Sequence, residues 1–407
     1  GTGQPERGVR TRITDDLLWL PYTVSRWTEV WGVDGLLEEP VAYLRSPVLS
    51  KEELERYERP VRSERSETVY QHCTRAIECV LNRGVGEHGL CRMGTGDWND
   101  GMNHIGAKGW GESVWLTWFF GLVLERWSAV AQRCGDREAA ERYQRLSKHF
   151  VQQAEGAWDG KWYLRGYDDE GKPFGSDGNA ECALDSVAQS FAAFAPESDP
   201  DRARQAVASA LEQLWDRQAQ TAALLTPPFH GLTDPGYIRN YPPGVRENGG
   251  QYTHGAIWLA AACYRTGQET EGHQLLLDLL PERHDPARYL AEPYVLAGDV
   301  CTAYHQEGRG GWSWYTGAAG WYYRVVQEEL LGLTLREGIL TIRPHLPDSW
   351  NQCRVTWRVL NVELDIELVR GVWTGIFLDD VPANDTIDCR QLEGKHHIRV
   401  VLAEGTH

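Results

Sequence analysis

Residues 314–342 read WYTGAAGWYYRVVQEELLGLTLREGILTI, and the hydrophobic period changes inside them. Up to residue 332 the apolar positions recur at helical spacing. Past Leu333 the period falls from 3.6 to 2, and Leu340 and Ile342 open a series of short strands. Among these, Val362, Leu364, Ile366 and Leu368 alternate with Glu363, Asp365 and Glu367, the mark of a half-buried strand. Ile376 to Leu378 and Ile398 to Leu402 complete the series. The pattern predicts a helical domain over residues 1–333 and a small antiparallel β-sandwich over 334–407.

Upstream of that boundary, helix follows helix. Thr14 reads as an N-cap with Asp15 and Asp16 in the first turn, followed by Leu17, Leu18, Pro21, Val24 and Trp27 at helical spacing. Further helices are predicted at 68–82, 113–133, 137–156, 183–195, 200–216, 254–266, 270–280 and 314–332, with no strand pattern strong enough for a βαβ unit. The connections hold most of the Gly, Asp, Asn and Trp. A toroid of helical hairpins whose loops gather at one end accounts for that distribution, since functional residues tend to sit on loops held by a rigid scaffold.

Composition narrows the partners. The 407 residues carry 58 acidic against 41 basic side chains, a formal net charge of −17, which disfavours nucleic acid and anionic lipid surfaces as partners. The longest apolar run, Val114 to Leu124, is too short to span a bilayer. Nine Cys form no CxxC pair and make an odd total, so neither a metal site nor a full disulfide framework is expected, and reduced thiols imply a cytoplasmic location. A start of Gly1-Thr2-Gly3 shows no secretion signal and reads as a cut or tagged fragment. The 18 Trp fit either a core or sugar-stacking surfaces, and composition does not choose between them.

Four stretches combine Gly, aromatic and polar residues where a plain helix would not. Gly94 to Asn103 presents Asp97 and Asp100 around Trp98 and Asn99, which suits either a proton-donating acid beside a stacking ring or an Asx-turn loop. In Tyr241 to His254, Arg246 and Glu247 precede an Asn-Gly-Gly turn and His254 stands at a helix start, where it serves a ligand or simply caps. Gly308 to Gly320 is a Gly-rich turn feeding a helix. With Arg309 beside it, it forms either an anion site or a close helix contact. Arg10 to Asp16 places Arg10, Arg12 and Asp16 where they grip hydroxyls or pair with one another.

Taken together, these strings resemble glycoside hydrolase family 94, the inverting glycoside phosphorylases acting on cellobiose, chitobiose and β-1,2-oligoglucans. The matching strings are TDDLLWLPY at 14–22, GDWNDGMN at 96–103, ENGGxYTH at 247–254 and WSWYTGAAGW at 312–321. The last two resemble most closely the phosphorylase-like region of cyclic β-1,2-glucan synthases and free β-1,2-oligoglucan phosphorylases. The resemblance implies an (α/α)6 barrel followed by a β-sandwich. It makes Asp100 the general acid and assigns the sugar to Trp98, Asn99, Asp16, an Arg of the Arg10/Arg12 pair, Arg246 and Glu247. It assigns phosphate to His254, Thr316 and Gly317; Arg309 is added to that set from its charge and Gly-rich setting. No metal or organic cofactor is implied, and the expected partners are an oligosaccharide and inorganic phosphate. Family members carry an N-terminal β-sandwich and helical linker before the barrel, and this sequence opens almost at the barrel's first signature, so the resemblance implies a homodimer or an association with such a region as a further partner.

The expected chemistry needs one carboxyl group where inverting hydrolysis needs two, because phosphate is itself an anionic nucleophile and an anion pocket replaces the base. The products would be α-glucose 1-phosphate and a shortened β-linked glucan, reversibly. Two other readings stand beside it: an inverting hydrolase with Glu247 or Glu292 as base, and a non-catalytic or incomplete sugar-binding module. His104, just after the acid loop, faces an acceptor sugar or is structural.

Overall fold

The structure, a computed structural model, describes residues 6–32, 35–314 and 316–404, without the side chain of Thr316. Four helical hairpins come first: α1 (Asp16–Trp31) with α2 (Val69–Arg83), α3 (Val114–Arg133) with α4 (Arg137–Glu155), α5 (Ser186–Phe194) with α6 (Pro200–Leu214), and α7 (Thr253–Arg265) with α8 (Glu269–Asp278). A single turn, α9 (Pro286–Tyr289), and α10 (Thr316–Val325) follow. Local sequence fixes these starts. Thr68 and Gln71 form a capping box on α2, Ser113 accepts from Leu116 N–H at the start of α3, and Asp185 and Asp199 cap α5 and α6.

Burial sorts the helices into two layers. Every residue from Val114 to Leu124 of α3 is buried, and so is nearly all of α7, as expected of helices surrounded on all sides. By contrast α4 buries only Ala140, Tyr143, Ser147, Phe150, Val151 and Ala154, one stripe at helical spacing. Among the described residues α1, α3, α5, α7 and α10 pack in sequence along the inner layer, backed by α2, α4, α6 and α8. Their rings meet at the centre: Trp19 lies 4.5 Å from Phe119, Phe191 4.8 Å from Trp258, and Trp258 5.7 Å from Trp321. Many of the tryptophans are therefore core.

The inner helices share an orientation that creates the site. Two-residue strands precede α3 (Glu112–Ser113), α5 (Leu184–Asp185) and α7 (Gln251–Tyr252). Each pairs with a loop segment, at Gly166–Tyr167, Leu225–Thr226 and Asp299–Val300. The long loops are thereby laced together over the N-terminal ends of the inner helices.

Three expectations change. The helix predicted over 314–332 is α-helical only to Val325 and continues as a wider π turn, Val326–Leu330, in which Glu328 meets both Arg324 and Arg26 while Leu330 stays buried. Strands Pro40–Arg45 and Val61–Thr68 pair between α1 and α2 where only a connection was expected; VRSERSET is mostly exposed on both faces and carries no hydrophobic period. The strands from Leu333 onward form two sheets over one core, but they are not wholly antiparallel, contrary to expectation. In the five-stranded sheet Gly394–Ala403 runs parallel to Val362–Gly371. The chain reaches it only after crossing to the three-stranded sheet at Thr386–Asp388, and such a crossover returns a strand in its original direction. The period-2 reading itself holds: Val362, Leu364, Ile366 and Leu368 are buried and Glu363, Asp365 and Glu367 point outward to Arg358, Arg354 and Arg399.

Candidate active site

The two acids of Asp-Trp-Asn-Asp have opposite surroundings. Asp97 is wholly buried, with Arg165 donating to both its oxygens at 2.7 Å, Ser113 Oγ at 2.6 Å and Asn99 N–H at 3.0 Å. Arg165, also fully buried, reaches Asp185 with its Nε at 3.2 Å. Ser113 and Asp185 are themselves the caps of α3 and α5, so Asp97 fastens the acid loop to the starts of two inner helices. That leaves Asp100, exposed on the short turn Asp100–Met102, as the acid able to meet a ligand.

The turn carrying Asp100 is clasped from the far side. His104 N–H donates to Pro235 O at 3.0 Å, Tyr237 N–H donates to Asn103 Oδ1 at 2.9 Å, and Ile238 lies against Gly101. The Tyr237 phenol stands beside Asp100. Burial first, then the charge of Asp100 and a hydrogen bond with it, push the phenol pKa up. The segment before it is held by Glu181, which accepts from the N–H groups of His230, Leu232 and Thr233 at 2.7 to 2.9 Å. Burial opposes ionisation of Glu181, yet these bonds and the Thr233 hydroxyl hold its pKa down to about 2. His104 itself is exposed and pairs with Asp234.

Trp98 forms the floor. Its ring meets Tyr252 edge-on at 5.4 Å and His254 at 5.5 Å, and leans on Trp258 at 5.0 Å. His254 is the second residue of α7, and its Cε1 comes within 4.0 Å of where a side chain on Gly317 would begin. The structure thus brings His254 and the first turn of α10 together beside Trp98; the Thr316 side chain lies outside the described residues. Several buried polar atoms here have no protein partner: His254 Nε2, both amide atoms of Asn99, Ser186 Oγ and Thr253 Oγ1. Native interiors rarely leave such groups unpaired, so the cluster has the polarity of a ligand site.

Burial pushes the His254 pKa down from 6.5 to about 4, so the imidazole is neutral at neutral pH. The unfolded chain binds a proton between those two values and the folded chain does not, so stability falls as pH drops from about 6.5 towards 4. Denaturant titrations at pH 7 and pH 4 are expected to show wild type losing about 3 kcal/mol more than His254→Gln, from 1.36 kcal/mol per pH unit. Equal losses would remove His254 from the buried set.

The turn at 244–250 brings in Arg246 and Glu247. Glu247 is almost buried, and Arg246 donates to its two oxygens at 3.2 and 3.4 Å from a left-handed backbone, φ 51°. The guanidinium lies 5.1 Å from the Tyr241 ring and 5.4 Å from that of Trp312. Asp299, paired across from Tyr252, faces the same Arg; burial raises its pKa against the pull of Trp312 N–H and Arg246.

Other candidates stand apart from this cluster. Arg10 Nη1 donates to Ser46 and Pro47, and Arg12 to the carbonyls of Leu49, Ser50 and Glu53, so both arginines tie down the 46–53 connection. Asp16 is exposed and bonded to the Thr11 hydroxyl. Its neighbour Asp15 is the buried one. Burial pushes its pKa up to about 7 against a bond from the Trp19 indole, with the charges of Asp97 and Asp16 adding to the rise. Arg309 is exposed on the turn that follows Cys301, and Glu292 accepts from the Trp314 indole. Sequence reading named none of Arg165, Glu181, Tyr237 or Asp299, and took Asp15 only as a first-turn acid of the first helix. Only Asp15 left a mark, as the inner member of an acid doublet before an apolar run.

Among the described residues no group of three or more His, Cys, Asp or Glu is arranged to hold a metal ion, and no helix is long and apolar enough to cross a membrane. Residues 2–332 match the family model described as glycosyl hydrolase 94 superfamily, catalytic domain. The chain is 40% identical over 354 residues to the cyclic beta-(1,2)-glucan synthase NdvB of Rhizobium meliloti (strain 1021), covering 85% of this chain and 12% of that protein. It is 31% identical over 348 residues to the 3-O-beta-D-glucopyranosyl-beta-D-glucuronide phosphorylase of Paenibacillus borealis, covering 84% of this chain and 42% of the relative. To the solabiose phosphorylase of the same organism it is 28% identical over 345 residues, with shares of 84% and 42%. The chain therefore spans less than half the length of each of these relatives.

Proposed function

The chain belongs to the glycosyl hydrolase 94 superfamily, and from that premise we propose that it performs inverting phosphorolysis of β-linked gluco-oligosaccharides, giving α-glucose 1-phosphate reversibly. The observation that carries this reading is the division of labour in the acid loop: Asp97 is locked to Arg165 while Asp100 alone is open to a ligand. Beside Trp98 lies His254, and beside His254 the first turn of α10. Asp100 donates its proton to the glycosidic oxygen as the bond to C1 lengthens. Phosphate attacks C1 from the opposite face, inverting it, held by hydrogen bonds from His254, Thr316 and the Gly317 backbone, with helix-start N–H groups adding favourable field.

A neutral His254 suits this work, because its ring N–H donates a hydrogen bond without the strong binding a fixed cation would impose on phosphate in both ground and transition states. The exposed Asp100 acquires its apolar setting when sugar covers it. Trp98 offers the stacking face, and Glu247, set by Arg246, offers paired oxygens to sugar hydroxyls. Asn99, whose amide has no protein partner, joins the proposed sugar contacts, and Arg309 is proposed for phosphate. Asp16 and an Arg of the Arg10/Arg12 pair would join the sugar contacts only by giving up their bonds to Thr11 and to the 46–53 connection. We carry the (α/α)6 form of the helical domain within the same proposal, supported by the alternating inner and outer helices. Phosphate is the co-substrate, and no metal enters the reaction. The NdvB likeness supports a β-1,2-linked glucan as substrate, and the nine free thiols support a cytoplasmic setting.

The test is product analysis on a panel of β-linked glucose disaccharides with and without inorganic phosphate, in the presence of a chelator. Glucose 1-phosphate that requires phosphate and is indifferent to the chelator is expected. Free glucose released equally without phosphate would make the chain a hydrolase.

A further inference from the structure

The segment from Leu290 to Trp314 leaves four large rings in solvent: Tyr304 is 80% exposed, Tyr294 76%, Trp314 64% and Trp312 54%. Exposed aromatics gathered on one segment are unusual on a protein surface and mark a place where something binds.

This segment is built onto the site. Thr302 N–H donates to Gly244 O at 2.9 Å and its hydroxyl to Gly249 O at 2.7 Å, so the stretch bearing Tyr304 is bonded to the turn that presents Arg246 and Glu247. Ala303 lies so close that any side chain on Gly244 would meet its backbone nitrogen at 2.5 Å. Trp312 is held on the other flank by its N–H to Asp299 Oδ1 at 3.0 Å, with its ring 5.4 Å from the Arg246 guanidinium. Trp314 adopts a left-handed backbone, φ 66°, costly for a bulky ring. Its indole N–H is bonded to Glu292 at 3.0 Å, and Tyr294 meets the ring edge-on at 6.3 Å. Trp312 and Trp314 are thus held by hydrogen bonds, and all four rings are more than half exposed.

Polar residues share the segment: Glu292 accepts from the Trp314 indole, and His305, Gln306 and Glu307 follow Tyr304 in the chain. Apolar faces separated by hydrogen-bonding groups match a glucan chain, whose sugars offer C–H faces and hydroxyls in alternation, better than a continuous apolar protein surface. We propose that Tyr294, Tyr304, Trp312 and Trp314 form a stacking platform for the further glucose units of a β-linked gluco-oligosaccharide whose end occupies the site. This deepens the sugar reading above and rests on it. The platform makes the chain selective for length.

The test is calorimetric titration of the 407-residue chain with linear β-1,2- and β-1,4-linked gluco-oligosaccharides of two and six units. Wild type is expected to bind the hexasaccharide of its preferred linkage about tenfold more tightly than the disaccharide, the scale of one or two aromatic contacts. The double variant Tyr304→Ala, Trp314→Ala loses that gain and keeps the disaccharide affinity within about twofold. Trp314→Phe, which keeps a ring, restores part of it. Equal affinity for both lengths in wild type, or an unchanged preference in the double variant, overturns the platform. So does no binding of any probe, which sinks the sugar reading as well. Length-dependent binding without phosphate-dependent cleavage keeps the platform and removes phosphorolysis; cleavage with no length preference does the reverse.

Discussion

Asp100→Asn is expected to lose turnover of a β-linked gluco-disaccharide by about 10³-fold or more, the upper part of what general acid catalysis contributes. Disaccharide affinity should stay within about threefold, since the amide keeps the shape of the carboxyl and removes only its proton. The size of the loss follows from the leaving group: a sugar alkoxide cannot depart from C1 without a proton, and the other acid of the loop, Asp97, is buried with both oxygens taken up by Arg165. The same reasoning supplies a control. β-Glucosyl fluoride expels a weakly basic fluoride that needs no proton, so Asp100→Asn should retain phosphorolysis of that substrate to within about tenfold. Parallel loss on both substrates would make Asp100 a structural residue and return the acid's role to another group.

The place of Asp100 on a loop over the inner helices was partly legible in the chain, and the reason it was only partly so is physical. Periodicity reports burial of one face, so the helices from 68 to 280 and the strand at Val362 to Leu368 could be read directly, their ends displaced by a residue or a few. It says nothing of strands exposed on both sides, such as Val61–Thr68, nor of which neighbour a strand will take, so the parallel pairing of Gly394–Ala403 went unseen. The four motif strings marked the loops over the inner helices, and Trp98, Arg246, Glu247, His254 and Gly317 do lie on or beside that floor. What spacing could not show is which polar groups are consumed by folding. Arg10 and Arg12 look free in the sequence but hold the carbonyls of 46–53, and Asp97 looks like a second catalytic acid but is the anchor of its loop. Partners that do the holding, Arg165 and Glu181, sit in long-range contact with no local signature: Arg165 is 68 residues from Asp97.

That long-range anchor supports the other large effect. Arg165→Met is expected to lower stability to denaturant by about 3–5 kcal/mol, the cost of leaving a buried charge unpaired. The substitution strands Asp97, which is wholly buried, and removes the charge facing Asp185, whose pKa burial already raises against the pull of Arg165. A loss of that size is a substantial fraction of the 5–15 kcal/mol typical of a folded domain. Arg165→Lys should recover only part of it, because an ammonium cannot bond both oxygens of Asp97 and reach Asp185 together. If the penalty is the stranded charge and not lost packing, Asp97→Asn added to Arg165→Met should restore at least about 1 kcal/mol even though it removes a further native group. A double variant less stable than Arg165→Met alone would assign the cost to packing around the side chain. The outcome also bears on Asp100, three residues along the same loop: without Arg165, Asp97 keeps only its bonds from Ser113 Oγ and the Asn99 N–H, so the acid turn is held less firmly to the starts of α3 and α5. Turnover in Arg165→Met should then fall further than its folded fraction does.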